Sequence, residues 1–274
     1  MDEMRDEERL SRLLNFYPPE EYSSYTDLLI QIINRDYNHI NRWTKVLALY
    51  RLSSIEGTEV GNDLIANLFN PDPMLLQTAG WVIYKLDKTQ YHDQTQRINA
   101  YVKKDLDKQI LPPVFRDEGE QYHQKQYLLE IALILNNLEL FKGVPGLILS
   151  DIAECVEEIL LKPGTTFIEK GSSGNEPIYI LIKGKVKIEE GESDERIIEP
   201  IGVIGQDHIV ASDVFEYSAS SVGECVLLVL AKDDLYDIMS KNIELVEAFL
   251  GLIEDEKERI ELEEDLYVNQ NFFS

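Results

Sequence analysis

Residues 162–188 read KPGTTFIEKGSSGNEPIYILIKGKVKI, and this stretch decides the fold. Three glycines, Gly164, Gly171 and Gly184, separate short apolar runs. Thr165 to Ile168 is one strand-like run, Pro177 to Lys183 is the next, and Gly184 to Glu189 continues after a glycine. Gly171 to Asn175 is a cluster of turn residues. Gly171 and Gly174 stand where a hairpin needs a positive φ, which glycine adopts without strain. Gly184 interrupts a strand run and so marks a bulge or bend. Val186 and Ile188 alternate with Lys185 and Lys187, as one buried and one wet face require. A phosphate cradle at Gly171-Ser172-Ser173-Gly174 is the competing reading. The P-loop spacing and its lysine-serine ending are missing there, and no helical pattern follows.

Working outward, Ile197 to Val203 and Cys225 to Ala231 read as further strands. After Asp233 the helical period returns through Leu235, Ile238, Met239, Leu245, Val246, Phe249 and Ile253. Upstream, Tyr122 to Leu140 reads as one strong helix, with Tyr127, Leu128, Ile131, Leu135 and Leu138 on one side. Before it, Gln109 to Glu120 holds Pro112 and Pro113, which cannot sit within a helix interior. From about Asp27 to Leu140 the apolar residues recur at helical spacing, in stripes such as Trp43, Val46, Leu47 and Tyr50. Breaks fall at Glu56-Gly57 and at Asn70 to Pro73, where Asp72 reads as an N-cap and Pro73 as a first helical residue. The expected class is α+β. It divides into an N-terminal segment at 1–23, an all-α helical stack at 24–110, a linker at 111–120, a β-roll of jelly-roll type with flanking helices at 121–253, and an acidic tail at 254–274.

The run from Lys162 to Ile188 resembles the opening of a cyclic-nucleotide-binding domain of the cAMP-receptor type. In that family a turn glycine precedes a short strand, a second glycine opens a loop, and a "YxIxxGxV" strand pair follows, here Tyr179 to Val186. Leu140 to Pro145 resembles the helical lead-in of the same family. The likeness spans roughly residues 138 to 250. The helical half resembles HEAT repeats, in which helix pairs stack into a solenoid. HEAT-like helices before such a β-roll also resemble the cytoplasmic region of bacterial transporters related to the ATP/ADP translocase and major-facilitator families.

The resemblance implies a nucleotide cassette after the central strands. In the family a Gly-Glu pair opens a short helix and its glutamate holds the ribose hydroxyl. An arginine about ten residues later holds the cyclic phosphate, just before a Ser/Ala-Ala pair. Here Gly205 matches the glycine, Gln206 replaces the glutamate and Asp207 follows it. Tyr217 stands where the arginine would be, ahead of Ser218 and Ala219. Arginine offers a charged fork that pairs with two phosphate oxygens, whereas tyrosine offers one neutral hydroxyl. Losing a charged partner at a buried anion costs on the order of 2–5 kcal/mol. No arginine occurs between Arg196 and Arg259, and Asp207, Asp213 and Glu216 would repel phosphate. Gln206 can still hydrogen-bond a hydroxyl, His208 is a candidate phosphate donor or pH switch, and only Lys232 past the cassette or a residue of another element could supply charge. The expectation is a degenerate ligand site at Gly205, Gln206, Asp207, Tyr217, Ser218 and Ala219.

Composition bounds the rest. In 274 residues, 51 Asp and Glu stand against 26 Lys and Arg, for a formal charge of -25, which repels nucleic acid and anionic lipid and favours a basic partner. No apolar run approaches a bilayer span, and Met1 to Arg9 lacks the apolar core of a signal peptide. Cys155 and Cys225 form no disulfide framework, so a reduced, cytoplasmic setting is expected, either for the chain itself or for the cytoplasmic part of a longer membrane protein. His39, His92, His123 and His208 are scattered, and no hydrolase, metalloprotease or dinucleotide motif is present. The reading is a non-enzymatic protein without cofactor or metal. It would meet a protein partner through its helical stack, either through a basic surface or on a membrane transporter, and would bind no nucleic acid. The alternative is a ligand sensor that binds a cyclic nucleotide or another small molecule in the β-roll and signals through the flanking helices.

Overall fold

The structure is a computed structural model that describes residues 24–112, 125–172, 177–191, 195–206 and 214–251. The helical half contains α1 (Tyr25–Asn34), α2 (Arg42–Leu52), the single-turn α3 (Asn62–Ala66), a 3₁₀ turn (Asn67–Phe69), α4 (Pro73–Leu86), α5 (Lys88–Thr95) and α6 (Ala100–Ile110). Side chains cap most of these helices. Ser24 accepts from the amide of Asp27, Asn41 from that of Thr44, and Asp87 from those of Thr89 and Gln90. Asp72 accepts from Met74 and Leu75, and Pro73 occupies the first helical position, where its missing N–H has no intrahelical partner to lose. At the other end of α1 the buried Lys45 donates to the carbonyls of Ile33 (3.0 Å) and Arg35, a charge placed where helix carbonyls lack partners.

After the segment from 113 to 124 come α7 (Leu128–Asn136), a 3₁₀ turn (Glu139–Phe141) and α8 (Gly146–Cys155). Among the described residues eight strands follow: β1 (Glu157–Leu161), β2 (Thr166–Ile168), β3 (Ile178–Lys183), β4 (Val186–Glu189), β5 (Glu195–Ile198), β6 (Gly202–Ile204), β7 (Ser218–Ser221) and β8 (Cys225–Leu230). They form two antiparallel four-stranded sheets, ordered β1-β8-β3-β6 and β2-β7-β4-β5. Then come α9 (Lys232–Met239) and a last helix, α10, over 243–251.

The first sheet has two buried faces, which is why β3 and β8 are almost wholly apolar. Ile178, Ile180, Leu228 and Leu230 face the helices and share one core with Leu49, Val82, Leu135 and Ile152. Tyr179, Leu181, Cys225 and Leu227 face the other way, into the roll. One apolar core therefore runs from α1 to α10 across both halves of the chain.

Named contacts tie the seam. Arg42, at the start of α2, donates to Asp151 (2.6 Å), Glu154 and Ser150 (3.1 Å) of α8 and lies 3.5 Å from the capping Asp72. A methyl group built on Gly146 would stand 2.2 Å from the indole of Trp43, so only glycine lets α8 approach α2 this closely. Tyr50, Trp81 and Tyr127 stack in series, with centroids 5.2 and 5.7 Å apart.

Two sequence expectations need correction. The long helix over Tyr122 to Leu140 is, among the described residues, only α7; residues 122–124 lie outside them. Its entry is held by other elements. The amide of Leu128 donates to Gln77 Oε1 (2.8 Å), that of Gln126 to Glu158 Oε2 (2.7 Å), and extended Tyr127 is drawn into the ring stack. Its exit falls at Asn136-Asn137, both weak helix formers. The single strand over Ile197 to Val203 is two strands in different sheets, because Pro200 lacks a ladder donor and the chain turns there. The bend read at Gly184 is present. It takes φ +95°, its hydrogens face Glu224 O where a Cβ would lie 2.5 Å away, and the β3–β8 register shifts between Leu181 and Lys183.

Candidate functional site

The cassette begins where β6 ends. Gly205 adopts φ +89°, and a Cβ there would lie 3.1 Å from the carbonyl of Pro177, so the turn out of β6 is shaped by glycine. Gln206 is exposed. Asp207, His208 and the rest of 207–213 lie outside the described residues. The chain returns at Val214 and is fastened to the turn before β3. The amide of Phe215 donates to Ser172 O (3.1 Å), and that of Gly171 to Phe215 O (2.8 Å).

Strand alternation then sorts the remaining residues. Ala219 and Ser221 point inward, opposite Ile188 and Val186 of β4, and Tyr217 points inward two residues before Ala219. Ser218 is turned the other way, where its hydroxyl accepts from the amide of Lys170 (3.0 Å). Gly205, Tyr217 and Ala219 thus converge on the interior, while Ser218 and Gln206 lie at its margin.

Tyr217 occupies the interior itself. Its side chain is 7% exposed and meets the ring of Phe215 edge-on at 5.5 Å. The amide of Gly205 donates to its hydroxyl at 3.0 Å in a buried hydrogen bond. Around the pair close Ile168, Leu181, Val186, Ile188, Ile204 and Leu227. The side chain at the arginine position is therefore part of an apolar core, and its one polar atom is engaged by the backbone of the cassette glycine.

Among the described residues, the cations of the roll lie outside its core. Lys187 pairs with Glu189 (2.8 Å), Lys185 with Glu199 (2.5 Å) and Arg196 with Glu190 (3.7 Å), all partly or well exposed. Among the described residues the one buried cation is Lys45, in the helical half. Two features escaped sequence reasoning. Phe215 fills space beside Tyr217, and its spacing of two from Tyr217 was the available signal. Ser172 Oγ is out of contact with solvent and has no hydrogen-bond partner among the described residues.

Residues 158–242 match the family model described as cyclic nucleotide-binding domain. The chain thus carries a domain of that class, preceded by a helical region. No curated protein matches. Among solved structures, the sensor domain of the transcriptional regulator DNR from Pseudomonas aeruginosa is similar at 16% identity and TM-score 0.41, over 46% of this chain and 91% of that one. The N-terminal domain of a transcriptional regulator from Streptomyces coelicolor is similar at 20% identity and TM-score 0.41, over 47% and 92%. The Thermus thermophilus catabolite activator protein is similar at 20% identity and TM-score 0.42, over 48% and 63%. Among the described residues no helix is long and apolar enough to cross a membrane.

Proposed function

We propose that this chain is a non-catalytic regulatory or scaffolding protein whose nucleotide-binding-type roll has become a packing module. The observation that carries the reading is the buried Tyr217 hydroxyl on the Gly205 amide, inside an apolar cluster. A cyclic phosphate entering there would meet no cation among the described residues and would displace two aromatic rings. The deficit of about 2–5 kcal/mol corresponds to a loss of roughly 30-fold to several-thousand-fold in affinity.

On this reading the helices over residues 24–110 act as a HEAT-like stack that presents a surface to a protein partner. The chain's charge of -25 favours a partner with a basic face, including a membrane transporter with basic cytoplasmic loops. The chain works in the cytoplasm and needs no cofactor.

A second reading, a sensor that binds a cyclic nucleotide or another small molecule in the β-roll, draws on the Ser172 hydroxyl, which has no partner among the described residues and lies beside the Phe215 segment. Calorimetry with cAMP and cGMP tests the first reading. The expected result is no binding at micromolar concentration, and micromolar affinity for either nucleotide would overturn it.

A further inference from the structure

We draw no further inference here: the strongest candidate, the surface patch on the outer side of α9 and α10 where Tyr236, Ile243 and Leu250 stand exposed among carboxylates, carries nothing because nothing in the structure shows what covers it.

Discussion

Among the described residues, Tyr217 is held by its hydrogen bond to Gly205 and by a large apolar contact. Replacing it by phenylalanine keeps the ring against Phe215 but leaves the Gly205 N–H buried without its acceptor. Tyr217→Phe is therefore expected to lower stability by about 1–3 kcal/mol, read as a shift of the urea midpoint at constant slope. An unchanged midpoint would mean that the Gly205 amide finds water and that the roll interior is wetter than described. The same residue shows how far sequence reasoning reaches. That the position has no arginine is plain from the string of letters. That tyrosine fills the space and bonds to the cassette glycine is not, because the two residues are twelve apart and meet only when β6 and β7 face each other across the roll.

At the scale of elements, two seams govern how α8 and β1 meet the helices before them. Arg42 holds α2, the cap of α4 and α8 together, and burial acts to lower its pKa while Glu154, Asp72 and Asp151 more than reverse that effect. Arg42→Met is expected to cost about 1–3 kcal/mol, less than a fully buried pair because Asp151 and Glu154 are partly exposed. Thermal unfolding of the variant checks it, and a loss within error would make the cluster decorative. At the second seam, burial first and then the charge of Glu158 push the carboxyl of Glu130 above the usual carboxylate range. Its folded form binds a proton more readily than its unfolded form, so its share of stability is complete below the unfolded value and is lost as pH rises through the folded one. Glu130→Gln should gain on the wild type near neutral pH, and the gain should vanish in acid. A gain independent of pH would assign it to packing instead. Elements with strong periodicity, such as β3, β8 and α4, were legible in the sequence. β7 was not, because Ser218-Ala219-Ser220-Ser221 carries no β-branched or large apolar residue and becomes a strand only between β2 and β4.

For the whole molecule, the sequence suggested a boundary at the proline pair, yet the apolar core passes straight across it. Leu49, Val82 and Ile83 share that core with Leu135, Ile152 and the helix-facing side of β3 and β8. A chain starting at residue 113 would expose that surface to water. It is expected to purify as an aggregate or to bind a hydrophobic dye, and a monomeric, cooperatively unfolding fragment would show that the roll stands alone. The continuity was hidden because periodicity reports which side of an element is apolar but not what lies against it. The chain's two tryptophans both lie on this seam, Trp43 against Gly146 of α8 and Trp81 between Tyr50 and Tyr127. Intrinsic fluorescence is therefore a label-free gauge of whether the two halves stay closed. Any partner or ligand that pries them apart would announce itself in the emission spectrum before it altered the secondary structure.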